Sequence, residues 1–157
     1  MKAATAWLLD IDNTLRAAVG EQEMTHFIPE PELYSVPLSP VYCNDVVIWQ
    51  DNIVPVFDLA AWLYDSPVDR QQSVVGIVMY QESPGAPVNL GALRLAGVPR
   101  RAQVSDEQSC DLPERPFRWR EVAVSCFADS QGAVPILDLN HIFSSKLWAT
   151  PDVAGSA

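Results

Sequence analysis

The stretch VPLSPVYCNDVVIWQDNIVPVFDL, residues 36–59, decides the fold. Its centre holds two short apolar runs rich in β-branched and aromatic residues, Asp45 to Trp49 and Ile53 to Phe57, with the turn-forming pair Asp51-Asn52 between them. Such runs suit a pleated strand, and the break between them predicts a hairpin. Pro55 cannot donate a ladder hydrogen bond, so its strand lies at an edge or carries a bulge. Asp58 then stands before an apolar stretch, Leu59 to Tyr64, where its carboxylate can cap a helical turn.

The end of this stretch has an echo. IVPVFDLAAWLY at 53–64 and AVPILDLNHIFS at 133–144 share apolar-Val-Pro-apolar-apolar-Asp-Leu, and Pro55 and Pro135 lie 80 positions apart. Matching Pro, Asp and Leu in both copies predicts two related half-domains, with Asp138 capping a helical turn as Asp58 does.

Outward from these segments the pattern is of short strands and turns. Residues 4–11 read as a strand, Asp12-Asn13 as a turn, and Leu15, Ala17 and Val19 as the alternating face of a returning strand. Gly20 to Ile28 predicts a short helix stopped by Pro29 and Pro31, and residues 29–40 an irregular, proline-rich segment. Further strand-like runs stand at 73–80, 88–98, 120–127 and 133–137. Thirteen prolines and few uninterrupted amphipathic stretches argue against a helical bundle or a repeated strand-helix-strand plan. A mostly β protein of sandwich or barrel type is expected, with a disordered tail after Trp148.

At 157 residues, 48% apolar and 19% charged, the chain makes one domain, or two subdomains sharing a core, and is no disordered polymer. A net charge of −10 repels phosphate backbones and anionic lipid, so nucleic acid and membrane surfaces are excluded as partners in favour of proteins or small ligands. The apolar start, Ala3 to Leu9, runs straight into Asp10, too short for a secretory signal or membrane span. Cys43, Cys110 and Cys126 are widely spaced and read as reduced thiols of a cytoplasmic protein. With only His26 and His141, no histidine-based metal centre is expected.

Taken together, these residues resemble the CheW-like domain, the adaptor module of bacterial chemosensory arrays. The family pattern V-P-x-S-P, four residues, G-[IV]-I-N-L-R-G, one residue, [IV]-[IV]-P-[IV]-[IVF]-D-L is matched without a gap. Val36-Pro37-Leu38-Ser39-Pro40 is followed by four residues, Asp45 to Asp51, Asn52, and then Ile53 to Leu59. The resemblance covers roughly residues 5–145 and assigns 1–148 to the domain and 149–157 to the tail. It implies two intertwined five-stranded SH3-like barrels with short helices around a shared apolar interface, with no catalytic residue, no cofactor and no metal. The implied role is a non-enzymatic adaptor coupling a chemosensory histidine kinase to the cytoplasmic tip of a methyl-accepting chemoreceptor. Barrel surfaces and β-edges would bind the kinase's regulatory domain, and a groove between the half-domains the receptor.

Departures from the pattern mark the candidate partner-binding residues: Val46, Val47, Ile48, Trp49, Gln50, Asp51 and Asn52. Gln50 stands at the family's arginine, losing a cation and a rigid fork of donors. Asp45 and Asp51 replace glycines with acids, which shifts the local charge toward negative and disfavours the usual partner surface. These changes suggest a divergent adaptor, for example in a type IV pilus or twitching-motility system, or a modulator binding a different protein. Arg94, Arg100, Arg101, Arg115, Arg118 and Arg120 gather in the latter half, as a solvated face balancing acids or as a partner-facing patch. Trp49 either caps the core or anchors an interface; Trp7, Trp62 and Trp148 read as packing residues, and Trp119 fits either role.

A competing reading starts from AWLLDIDNTLR, residues 6–16. An apolar strand ending in Asp-x-Asp-x-Thr resembles the first motif of the haloacid dehalogenase phosphatases, which would make Asp10 a magnesium-assisted nucleophile and Asp12 the proton carrier. That reading requires a parallel sheet with crossover helices and a downstream phosphate-holding lysine, whereas Lys146, the only lysine besides Lys2, stands near the terminus.

Overall fold

The computed structural model describes residues 3–116 and 118–144. The expected disordered tail and Trp148 lie outside these residues. Among the described residues eleven strands form two sheets. One has the order β10-β11-β2-β1-β9, built from β1 (Ala3–Asp10), β2 (Arg16–Gly20), β9 (Arg100–Ser105), β10 (Ala123–Asp129) and β11 (Gly132–Leu137). The other runs β3-β7-β8-β6-β5-β4, from β3 (Met24–Pro29), β4 (Tyr34–Ser35), β5 (Asp45–Trp49), β6 (Asn52–Phe57), β7 (Val74–Tyr80) and β8 (Asn89–Leu95).

The two orders are the same plan used twice. Hairpin β5-β6 corresponds to β10-β11, hairpin β7-β8 to β1-β2, and β3 to β9, leaving β4 as a two-residue extra edge. Each plan contains one parallel pair, β6 with β8 and β11 with β2; the remaining strand pairs are antiparallel. The chain interlaces the two, because β1 and β2 pair with strands from the far end of the sequence. This is the mostly β, intertwined pair of five-stranded units expected, and it lacks the parallel sheet with crossover helices that the phosphatase reading requires.

The predicted echo is structural. Helix α1 (Leu59–Tyr64) follows β6 and α3 (Leu139–Ile142) follows β11, with Asp58 and Asp138 at their N-caps in nearly identical backbone conformations, φ −95° and −96°, ψ 94° and 90°. Asp58 Oδ1 accepts from the Ala61 N–H at 3.1 Å and Asp138 Oδ1 from the His141 N–H at 3.2 Å. Their own N–H groups donate to equivalent carbonyls, Tyr42 at 2.7 Å and Val122 at 2.8 Å. Val122 ends the short helix α2 (Trp119–Val122), the second-half partner of the 3₁₀ turn Val41–Cys43.

The described residues form three apolar cores. Leu8, Ala18, Phe127 and Val134 fill one barrel; Val47, Val54, Val56, Val75, Ile77 and Ala92 fill the other. Between them lies a larger shared core in which Phe57, Trp62 and Leu93 meet Leu9, Trp119 and Ile142. Trp119 is therefore a packing residue, as is Trp62, over whose ring the Arg118 guanidinium lies at 3.9 Å. Lying between two cores also explains why burial along β2 does not alternate: Ala18 faces its barrel while Ala17 and Val19 face the shared core, all fully buried.

Five local expectations change. Pro55 lies on β6, which runs between β8 and β5 without a register shift against β5, so its strand is neither an edge nor bulged; the pairing with β8 involves only Val56 and Phe57, which leaves the missing N–H of Pro55 outside that ladder. Gly20 to Ile28 is not a helix but a single 3₁₀ turn, Glu21–Glu23, followed by β3. The Glu23 carboxylate accepts from the Gly20 N–H at 2.7 Å and caps the turn, after which Phe27 and Ile28 find partners on β7. Strand pairing overrides a weak helical preference. Strand β9 went unpredicted because it offers its barrel only Ala102 and Val104. The run at 120–127 starts as helix and becomes strand only at Ala123. The hairpin turn falls on Gln50-Asp51 and not on Asp51-Asn52, since Trp49 pairs directly with Asn52.

Candidate partner-binding surface

Strands β5 and β6 build the candidate surface as a hairpin whose two-residue turn has Gln50 at φ 49° and Asp51 at φ 65°. Positive φ at both positions is the mirror-image turn that matches the twist of paired strands, normally served by Asn-Gly. Two residues with Cβ atoms hold it here, and the Asn52 side-chain amide donates to the Gln50 carbonyl at 3.2 Å.

Alternation along β5 splits the predicted residues between two faces. Val47 is buried in the barrel core and supports the hairpin from inside. Trp49 points the same way and is half-buried against that core, its ring stacked on His26 at 4.5 Å. His26 belongs to β3, at the opposite end of the sheet order, so this stack closes the curled sheet on itself. Of the two roles open to Trp49, core capping is the one its packing supports.

On the outer face, Ile48 and Ile53 stand directly opposite each other, 54% and 74% exposed. Val46 lies on the same face, half-buried, and pairs with Tyr34 of β4, which is exposed. The preceding loop adds Val36 and, at its tip, Leu38, whose side chain is fully exposed at φ 61°. Aliphatic side chains in a cross-strand pair, each more than half exposed, form an apolar patch on the outside of the hairpin. Ile53, Tyr34, Val36 and Leu38 escaped prediction: both faces of VVIW and IVPVF are apolar, so alternation cannot say which faces outward.

The charges settle differently from the sequence expectation. Asp45 is met by Arg94 at 3.5 Å and by the Ser35 hydroxyl at 3.4 Å, so its acidity is offset within the sheet. Gln50 and Asp51 stay exposed at the turn. Several arginines of the latter half are engaged by partners within the fold. Arg100 pairs with Asp10 and Arg101 with Glu21, both at 3.4 Å, while Arg118 Nη1 donates to the Trp62 carbonyl at 2.6 Å.

The Asp-Ile-Asp-Asn-Thr segment is a turn. Asp12 Oδ1 accepts from the backbone N–H groups of Thr14 at 2.7 Å and Leu15 at 2.6 Å and from the Thr14 hydroxyl at 3.2 Å, the local bonding that makes Asp a turn residue. Asp10 ends β1 beside Arg100.

Comparison with known proteins agrees with this geometry. The model of the CheW-like domain family matches residues 16–147. Among solved structures, the scaffolding protein TtCheW from Thermoanaerobacter tengcongensis superposes with a TM-score of 0.71 at 12% sequence identity, covering 92% of this chain and 90% of that one. A search of curated proteins by sequence found none that matches.

Proposed function

The chain belongs to the CheW-like domain family, whose members are non-enzymatic scaffold proteins of chemosensory signalling, and from that premise we propose that it couples a chemosensory histidine kinase to the cytoplasmic tip of a methyl-accepting chemoreceptor. The observation that carries this reading is the opposed pair Ile48 and Ile53, exposed on the outside of a hairpin whose inner face is already filled. An apolar patch beside an exposed polar turn suits a protein partner, the aliphatic pair supplying desolvation and Gln50-Asp51-Asn52 the polar rim. Among the described residues no helix is long and apolar enough to cross a membrane. Kinase and receptor tip would both be met in the cytoplasm.

Gln50 in place of the family's arginine, and an Asp45 already paired with Arg94, favour a divergent member, for example one serving a type IV pilus or twitching-motility system. The test is co-purification with a candidate kinase and, separately, with a receptor cytoplasmic fragment, using wild type, Ile48→Asp, Ile53→Asp and Gln50→Arg. Loss of either partner in the Ile variants with the fold intact supports the surface; unchanged binding of both removes it. Kinase capture without receptor capture would favour a modulator acting outside the array, and Gln50→Arg gaining the receptor would identify Gln50 as the retargeting residue.

A further inference from the structure

Each barrel is closed by the segment that follows the strand at one end of its sheet order, β3 or β9, and pairs near the opposite end, and the two closures differ in chemistry. In the second barrel, that of β3 to β8, the segment is β4, whose Ser35 lies opposite Asp45; the first barrel is that of β1, β2 and β9 to β11. In the first, Ser109 follows β9 and bridges to Phe127 of β10 in antiparallel register. One step along that register sets Cys110 opposite Cys126: the Cys110 N–H donates to the Cys126 carbonyl at 3.1 Å and the two sulfur atoms are 3.2 Å apart. Both thiols are free.

We propose that Cys110 and Cys126 are a modification site, converted by hydroperoxides into a reversible disulfide that staples the seam of the first barrel. The inference is independent of which partners the outer surface binds. Directly opposed residues of an antiparallel pair have Cα atoms about 4.5–5.5 Å apart, inside the range a disulfide spans, and the sulfur atoms need approach by only about 1 Å. The sites are unequal in a way that orders the chemistry. Cys110 is half-exposed, whereas Cys126 is buried, although it lines a surface cleft of about 370 Å³ with Ser109, Ser125 and Phe127. Burial, then the hydrogen bond shared with Cys110, pushes the Cys126 thiol up to about 12, so Cys126 is not the first nucleophile.

The Cys110 thiolate attacks one oxygen of the hydroperoxide. The O–O bond breaks and the alkoxide leaves, protonated, as an alcohol or water, giving a Cys110 sulfenic acid. The Cys126 sulfur then attacks the Cys110 sulfur. The S–O bond breaks and hydroxide departs with the Cys126 proton as water. Two thiols are oxidised, one peroxide is reduced, and a dithiol reductant reverses the bond by exchange. The disulfide would fix Cys110 upstream of Arg118, whose guanidinium lies on Trp62 in the other half.

The test treats the full chain with hydrogen peroxide, counts remaining thiols under denaturing conditions and maps linked peptides by mass spectrometry. Two of the three thiols should disappear as a Cys110–Cys126 cross-link, return with dithiothreitol, and raise the Tm by on the order of 5–10 °C while linked. Cys43→Ser should respond as wild type and Cys110→Ser should form no cross-link. Survival of all thiols, a cross-link through Cys43 or between chains, or Cys110 passing to the sulfinic acid with Cys126 still free would each overturn the proposal.

Discussion

The guanidinium of Arg70 lies edge to edge with the carboxylate of Asp58, Nη1 to Oδ2 at 2.9 Å and Nη2 to Oδ1 at 2.7 Å, while its Nε donates to the Ile11 carbonyl at 2.9 Å. One arginine thus ties the cap of α1 to the first hairpin of the other barrel, with its side chain 1% exposed. Among the described residues no arginine pairs with Asp138, although Asp138 caps α3 in the same backbone conformation.

Two equivalent caps therefore respond unequally to removal. Asp138→Ala should cost about 1 kcal/mol, the worth of an N-cap. Asp58→Ala strands the buried Arg70 and should cost about 3–5 kcal/mol, as should Arg70→Met by stranding Asp58. Urea unfolding of the three variants measures this, and equal losses for Asp58→Ala and Asp138→Ala would contradict it.

Arg16 holds Asp129 by two hydrogen bonds, 2.7 and 2.8 Å, and keeps that carboxyl down at about 2 against an ordinary 3.8. A carboxyl lowered in the fold contributes stability above its unfolded value and loses it as the pH falls toward the folded one. Wild type should therefore lose stability between about pH 4 and pH 2 in a way Asp129→Asn does not, by no more than about 1 kcal/mol because the pair is partly open to solvent. Denaturation curves at pH 5, 3 and 2 read the difference.

The two faces of β5 should separate folding from binding. Trp49→Ala opens the stack on His26 and should cost about 2–4 kcal/mol whether or not a partner is present. Ile48→Asp and Ile53→Asp lie in water and should stay within about 0.5 kcal/mol of wild type. Thermal unfolding alongside the co-purifications distinguishes the two classes.

Asp51→Gly should stabilise the protein by about 0.5–1 kcal/mol, because glycine accepts the φ of 65° at no steric cost. A fall in Tm for this variant would mean that the Asp51 side chain supports the turn by more than its strain.

Gly91→Ala would drive a Cβ to 2.6 Å from the Phe143 ring, which is itself stacked on Tyr80 at 5.1 Å, and should cost about 1–3 kcal/mol. Gly76→Ala meets the Met24 methyl at the same 2.6 Å, but a flexible thioether tip can turn aside, so its loss should be smaller. Parallel urea titrations compare the two.

Much of this architecture is legible along the chain, because its causes are local. The N-caps at Asp58 and Asp138 follow from a carboxylate standing before an apolar turn, and the hairpin at Asp12 from a side chain that reaches its own backbone. The repeat of Val-Pro, Asp and Leu announced two halves. What stayed hidden depends on contacts distant in sequence. Strand β3 exists because β7 pairs with it, β9 because β1 does, and neither partner is a neighbour along the chain.

The candidate surface divides the same way. Sequence alone determined the hairpin at 45–57, the capped turns after it, and the divergent Gln50, since propensity and pattern act over a few residues. Only the tertiary structure decided that Val47 and Trp49 turn inward while Ile48 and Ile53 face water, that Asp45 is offset by Arg94, and that Cys110 meets Cys126. An apolar strand carries equal information on both faces, and its buried side is chosen by whichever distant strand curls over it.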